Sequence, residues 1–515
     1  MKSLTFLLAL VPGSAAQELF TNPVLWQDLA DADIIRVDDV YYYSASNMHF
    51  SPGAPILRSY DLVNWEYLSH SVPTLDFDPA DSYNLIGGER YNQGIYASYF
   101  NYRKSTDTFY WGGCIVGDWK TYIYTAPSAE GPWSHSSIID TCYYDAGLLI
   151  DDDDTMYVAH GATNISVAQL TPDGLGQVRD QVVWESPEEI GYIEGSRFYK
   201  KDGAWYIWLV KPVPDQYVLK STEGPFGPYE YRQVLDTSGY PVTGAGEPHQ
   251  GGLVTTPAGD WHYMAFVDAY PGGRIPVLAP VSWDEDGWPH VELVNNEWQA
   301  TYPYPVTPHP VKSITGTDYF ETLGPQYEWN HNPDNAAWSI DRGLKLKTAT
   351  VTDDFFLARN TLSHRILGPQ STATVELDYS AMVDGDRAGL ALFRFEAGWI
   401  GIAKTGDRTT ISMVNNIAMG PTDGWTTFDK GTEIASKEIS GGSIWLRLQV
   451  DVSPGDNKKG SFSYSTDGTE FVDFGEAHVQ SNKYLFFMGY RYGVFNYATS
   501  GLGGAVTVKS FDISQ

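Results

Sequence analysis

Apolar and polar positions alternate in short runs from Asp33 onward, a period of two that predicts strands rather than helices. One phrase recurs: a short apolar strand, a polar or Gly-containing turn, then a strand rich in aromatic residues. It is written five times, as DIIRVDDVYYYSAS, IYASYFNYRKSTDTFYWGG, DAGLLIDDDDTMYVAHG, GSRFYKKDGAWYIWLV and HQGGLVTTPAGDWHYMAF. A second strand pair with its own turn follows each: PILRSYDLVNWEYL, YIYTAPSAEGPWSHSSI, SVAQLTPDGLGQVRDQVVW, YVLKSTEGPFGPYEYRQVL and PVLAPVSWDEDGWPHVEL. Modules of about four strands recurring at roughly 50 to 65 residues predict a five-bladed β-propeller.

The pattern breaks at NEWQATYPYPVTPHPVKS, which is Pro-rich and has neither periodicity. An extended linker is expected over 301–312, closing a propeller domain at 17–300. Beyond it, STATVELDYS, RAGLALFRF, GWIGIAKT, SIWLRLQVDV and GSFSYSTDG alternate without the four-strand module. Residues 313–515 therefore read as a β-sandwich of jelly-roll, concanavalin-like type, making the chain all-β. At the other end, Lys2, the apolar run Leu4 to Val11 and the small residues up to Ala16 have the grammar of a signal peptide. Residues 1–16 are expected to be cleaved and the protein secreted. No later run approaches the roughly 20 apolar residues of a membrane span.

The 33 Lys and Arg against 64 Asp and Glu leave a net charge of −31, which repels phosphate backbones and anionic lipid. Nucleic acid and membrane are thereby excluded as partners, whereas a neutral polysaccharide suffers no such repulsion. A monomer is expected. The 17 Trp and 35 Tyr suit sugar-stacking surfaces and a β-rich core equally. Cys114 and Cys142 are the two cysteines, and a disulfide or two buried thiols are both compatible with the sequence. Asn164-Ile165-Ser166 is a candidate N-glycan acceptor.

In a propeller the first strand of each blade lines the central channel, so residues at one offset in different blades meet at one end of it. Asp31, Ala97, Asp145, Glu194 and His249 each sit about seven to nine residues before the first turn of their module. Three carboxylates and a histidine are thus expected on the axis. Clustering acids costs desolvation and mutual repulsion, which points to function. One acid with a raised pKa and one ionised carboxylate are what glycoside hydrolysis requires, and a third can tune the pair. Any one of these acids alone would read as a turn-capping or solvated residue. The run Asp151 to Asp154 invites calcium but also reads as a solvated hairpin tip. At His249, a hydrogen-bonded core histidine, a buried water and a structural calcium ion stay open. Arg274, in the turn Gly272-Gly273-Arg274, can reach a channel carboxylate, a sugar hydroxyl or solvent.

These residues resemble glycoside hydrolase family 43 over nearly the whole mature chain. NPVLWQDLADADIIRVDDVYYYSAS with FSPGAPILRSYDLVNWE is similar to the family's N-terminal signature. The resemblance makes Asp31 the general base, Asp145 the pKa-modulating aspartate in YYDAGLLIDDDDTMYV, and Glu194 the general acid in EGSRFYKKDGAWYI. HQGGLVTTPAGDW and GGRIPVL resemble later motifs, implying that His249 lies by an axial ion or water and that Arg274 faces the site. HRILGPQSTATVELDYS and FFMGYRYGVFNYAT are similar to the family's C-terminal sandwich, which lends a loop to the pocket. The chain departs from the family at Ala32 and Ala146, where prolines are usual, and at Ser196-Arg197, where Pro-His is usual. The implied activity is inverting removal of α-L-arabinofuranosyl side chains from arabinoxylan in the plant cell wall, with no cofactor required. Exo-acting β-xylosidase on xylo-oligosaccharides is the alternative, followed by arabinanase or a non-catalytic sugar-binding propeller. Phe50, Tyr96 and Tyr144 are expected to shape the pocket, with the Tyr144 ring narrowing it to branch size.

Overall fold

Each of the five repeated phrases folds with its partner pair into an antiparallel sheet of four strands in chain order, and the second of these sheets gains a short fifth strand, Gly94–Ile95, that also pairs with Thr108–Val116. The computed structural model describes residues 18–515 except 213, 214, 237 and 423, so the proposed signal peptide lies outside the described residues. Blade I comprises Asp33–Val37, Val40–Ser44, Gly53–Ser59 and Trp65–Val72. Blade II comprises Tyr99–Arg103, Thr108–Val116, Thr121–Ala126 and Ser134–Ile139. Blade III comprises Gly147–Ile150, Met156–His160, Asn164–Leu170 and Gln177–Glu185. Blade IV comprises Glu194–Lys201, Ala204–Val210, Gln216–Ser221 and Glu230–Leu235. Blade V comprises His249–Thr255, Trp261–Asp268, Arg274–Trp283 and Pro289–Val291.

The first strands of the blades pack against one another around the axis. Among the described residues no blade borrows a strand from another, so the ring closes by side-chain packing: Ile34 of blade I shares one apolar cluster with Leu253, Val254 and Val277 of blade V and Trp208 of blade IV. Full burial of such side chains stabilises by about 1.5–3 kcal/mol each. The chain ends of the propeller are also tied together, because Leu19–Thr21 pairs with Thr301–Pro303. The first residues of the expected linker are therefore strand, and irregular chain begins after Pro303. That chain is held to blade I where the His309 amide donates to the Asp61 carboxylate at 2.6 Å.

The C-terminal domain is two antiparallel sheets. One is ordered around Gln370–Asp378, which lies between Ala505–Ser514 and Ser443–Asp451; the other runs Thr426–Glu438, Arg408–Gly420, Glu396–Thr405, Asp386–Phe393, Arg491–Ala498, Leu362–Arg365, Tyr327–Asn330. Leu377, Leu390, Leu446 and Tyr492 are buried in the cluster that joins them. The second sheet does not stop at its own domain: Phe50–Ser51, from the propeller, pairs with Tyr327–Asn330 as its edge strand. Beside that seam the buried Glu328 carboxylate accepts from Arg365 at 2.9 Å, from Asn47 at 3.2 Å and from Arg491, and meets His70 Nε2 at 3.1 Å. Among the described residues no helix is long and apolar enough to cross a membrane.

Candidate active site

Asp31, Ala97 and Asp145 each stand two residues before the inner strand of their blade, at one end of the channel. Glu194 and His249 are instead the first residues of theirs, because a bulge follows each: pairing slips between Glu194 and Arg197 and between His249 and Gly252. The offset read from the sequence thus becomes a common level in space. The charges of Glu194 and Asp31 both act on Asp145, and those of Asp31 and His249 act on Glu194.

Asp31 is buried with both carboxylate oxygens engaged. Oδ1 accepts from Arg274 Nη1 at 2.9 Å and Oδ2 from Ser46 Oγ at 2.6 Å. Arg274 is itself buried; against that desolvation, Asp31, Tyr270 and Asp28 hold its pKa above the ordinary arginine value. Its Nε donates to the Phe487 carbonyl of the sandwich at 2.9 Å, and its amide to Asp28 at 2.8 Å. Asp28 also accepts from the Gly489 amide at 3.0 Å. This junction tolerates no side chain at two positions. A Cβ on Gly489 would lie 2.3 Å from the Gly272 carbonyl, and one on Gly273, where φ is +97°, would lie 2.3 Å from Asp28.

Burial raises the pKa of Asp145 well above the usual carboxylate range, and the like charges of Glu194 and Asp31 raise it further. Gln250 Nε2 donates to its Oδ2 at 3.2 Å. Burial also raises Glu194, whose Oε2 accepts from the Tyr192 hydroxyl at 2.7 Å and the Tyr144 hydroxyl at 3.1 Å. The Asp145–Glu194 pair therefore retains a proton where isolated carboxylates would have lost theirs, which is what a general acid needs.

Among the remaining expectations, Tyr144 stands at the acid, as just described. Tyr96 feels the charges of Arg274 and Asp31, and its ring meets Phe487 edge-on at 6.0 Å, so it flanks the base. Phe50 is a correction. Its ring is 2 % exposed, 4.5 Å from His49 in a stacked pair, under the Arg491 guanidinium at 3.5 Å and against Phe393. It is consumed by the domain seam and offers no face to a sugar. His249 is held by a hydrogen bond, one of the readings the sequence left open. Its Nδ1 donates to the Glu247 carbonyl at 2.9 Å and its Nε2 lies 3.9 Å from Asp268. Calcium takes six to eight oxygen ligands, and no group of three or more His, Cys, Asp or Glu is arranged to hold a metal among the described residues. The donors at His249 do not fit a calcium ion caged by protein oxygens, and the imidazole instead acts on Glu194. In the run Asp151 to Asp154, Asp151 pairs with Lys200 and Trp205, Asp152 with Lys200, and Asp154 with Arg103 and Ser105.

Sequence reasoning missed several contributors. Arg197, noted there only as a departure from the family, is 1 % exposed. It donates to the backbone carbonyls of Asp31 at 2.8 Å, Ala32 at 3.1 Å and Ser98 at 2.9 Å, and to that of Ala146. One side chain of blade IV thus ties the channel ends of blades I, II and III. Ser46, Gln250 and Tyr192 carried no motif signal, although Tyr192 lies two residues before Glu194. Cys114 and Cys142 are joined as a disulfide, settling the pairing left open by the sequence.

Two family models match the chain: "Glycosyl hydrolases family 43" over residues 20–289 and "Beta xylosidase C-terminal Concanavalin A-like domain" over residues 317–514. A β-xylosidase of Formosa agariphila is 28% identical, with 97% of this chain and 91% of the relative covered. A non-reducing end α-L-arabinofuranosidase of Bacteroides ovatus is 26% identical over 74% of each chain. Among solved structures, a family 43 glycoside hydrolase engineered to display both endo-xylanase and exo-arabinofuranosidase activity superposes with a TM-score of 0.93 at 43% identity, covering 97% of this chain and all of that one. With three acids at one mouth of a five-bladed propeller and a matching sandwich behind them, the chain belongs to glycosyl hydrolase family 43.

Proposed function

We propose that the protein is a secreted, monomeric, exo-acting α-L-arabinofuranosidase that inverts the anomeric carbon as it removes side chains from arabinoxylan. In this reading Glu194 donates its proton to the glycosidic oxygen as the bond from that oxygen to the anomeric carbon breaks. Asp31 takes a proton from a water whose oxygen bonds to the same carbon from the opposite face. Burial and the like charge of Asp31 favour the protonated acid, and Asp145, raised in the same way, stands beside it as the modulating carboxyl. Arg274 and Ser46 orient Asp31, and Tyr96 borders the sugar. Every atom of this step is supplied by these side chains, the substrate and one water.

The carrying observation is the asymmetry of the carboxylates: Asp31 accepts from a guanidinium and a hydroxyl, while Glu194 is raised by burial. Arabinose is favoured by the 43% identity to an enzyme with exo-arabinofuranosidase activity. Exo action is supported by Tyr144 standing at the acid and Phe487 beside Tyr96, two rings placed to narrow access to the acids. A second reading, β-xylosidase, is favoured by the names of the relatives from Formosa agariphila and Xylanibacter ruminicola.

Chromatography of the sugars released from arabinoxylan and from xylo-oligosaccharides tests this. Arabinose from the polymer is expected. Xylose from the oligosaccharides alone would transfer the same machinery to the second reading, and no sugar from either would defeat both. Glu194→Ala should lower turnover of the natural substrate by at least about 100-fold with an unchanged circular dichroism spectrum.

A further inference from the structure

The two oxygens of Glu194 are not equivalent. Oε2 accepts from two phenols, Tyr192 of the loop preceding blade IV and Tyr144 of the loop preceding blade III. Among the described residues, no side chain or amide donates to Oε1. A carboxyl oxygen has two lone pairs, so one that already accepts twice has no room for its own proton. Burial, followed by the hydrogen bond to Glu194, raises the pKa of the Tyr192 phenol, and burial with the nearby acids raises that of Tyr144. Both hydroxyls therefore stay donors throughout the working pH range.

We propose that Tyr192 is a positioning residue for the general acid: with Tyr144 it confines the proton to Oε1, which faces the leaving oxygen, and it steadies the negative charge that appears on Oε2 as that proton departs. The proposal rests on Glu194 being the acid. The two hydrogen bonds to Oε2 become charge-assisted only as the carboxylate forms, so they strengthen in the transition state relative to the ground state. Tyr192 is 50% exposed, so its ring also stands at the rim where a polymer must pass. Its position alone would suit a stacking residue. The distance of 2.7 Å from hydroxyl to carboxylate is what a stacking role does not need.

Tyr192→Phe keeps the ring and removes only the donor. On the natural saccharide its kcat should fall roughly ten- to a hundred-fold with KM near that of the parent. On the dinitrophenyl glycoside of the same sugar, whose leaving group needs little protonation, the loss should nearly vanish. The alkaline limb of kcat/KM should move to higher pH, because a donor that favoured the carboxylate is gone. Asp31, Asp145, His249 and Tyr144 still face the acid in that variant. Tyr144→Phe should shift the limb in the same direction. A Tyr192→Phe enzyme with the parent's pH profile and the parent's ratio of rates on the two substrates would overturn the proposal, as would equal loss on both. Glu194→Gln is run in parallel. Full activity there would remove the acid assignment itself, whereas an inactive Glu194→Gln beside a parent-like Tyr192→Phe removes only the role of the phenol.

Discussion

Asp31 and Asp145 both hold left-handed backbone, with φ of +60° and +51°. Aspartate tolerates that region better than most residues, yet each instance costs on the order of 1 kcal/mol and persists only where its surroundings insist on it. Arg197 supplies much of that insistence, through the carbonyls of Asp31 and of Ala146, the residue after Asp145. Lysine at this position would keep the charge but could not span four carbonyls. Arg197→Lys should leave buried carbonyls unpaired at about 1–3 kcal/mol each and lower kcat more than it raises KM. Thermal denaturation and steady-state kinetics check both, and a variant with parental melting and kcat would count against this reading. The acids were legible because one offset recurs in every blade. Arg197 was not, since a lone arginine in a strand usually reads as surface, and its four acceptors lie in segments far from it in the chain.

At the scale of an element, the segment that carries Tyr144 and Asp145 is stapled at its root. Cys142 is bonded to Cys114 on the second strand of blade II. Next to it, Thr121 Oγ1 accepts from the Tyr143 amide at 2.8 Å and donates to the Thr141 carbonyl at 2.8 Å. The bridge closes a separation of 28 residues, for which the chain-entropy argument gives about 3–4 kcal/mol. Cys142→Ser should lower the unfolding free energy by that order, seen as an earlier denaturation midpoint, and weaken turnover because Tyr144 and Asp145 lose their anchor. The strand pairs of blades I to V were readable from alternation, whereas the two-residue strand Gly94–Ile95 was too short to show a period. Arg408–Gly420 and Thr426–Glu438 gave no such signal. The second of these is exposed along most of its length, so few of its positions need be apolar, and tertiary pairing makes it a strand.

The whole molecule is one propeller and one sandwich that share an edge strand, a buried charge cluster and the Arg274–Phe487 hydrogen bond beside the base. Desolvation opposes the charge on Glu328, but Arg365, Arg491 and His70 hold its carboxyl well below the ordinary range. Removing it leaves two buried guanidinium groups without their counter-charge; Glu328→Ala is expected to cost about 3–5 kcal/mol and to loosen the Arg274–Phe487 contact with it. Burial also lowers His49 well below the ordinary histidine value, and takes His331 to about 3 and His262, His364 and His478 to about 4. The unfolded chain takes up protons below roughly pH 6.5 that these imidazoles refuse in the fold, so stability should fall as pH drops through that value. Glu328 extends the loss below about pH 4.5, where an unfolded glutamate protonates. Denaturation midpoints measured at about pH 7 and pH 5 should therefore differ, the lower pH being the less stable.

A period of two with punctuating turns determined the five blades and the sandwich, because it states which face of each strand is buried wherever the chain goes. The shared offset of Asp31, Asp145 and Glu194 determined the mouth of the channel, because blades related by rotation carry equal offsets to equal heights. Tertiary structure alone decided which donors address each carboxylate. Tyr192 and Tyr144 reach one oxygen of Glu194, Arg197 ties three blades, and the Phe487 carbonyl holds Arg274 across a sequence separation of 213 residues. It also took Phe50 away from the pocket and into the seam between the domains. Such contacts depend on how whole elements are set against one another, and hydrogen bonds a few ångströms long between remote segments leave no mark on local alternation.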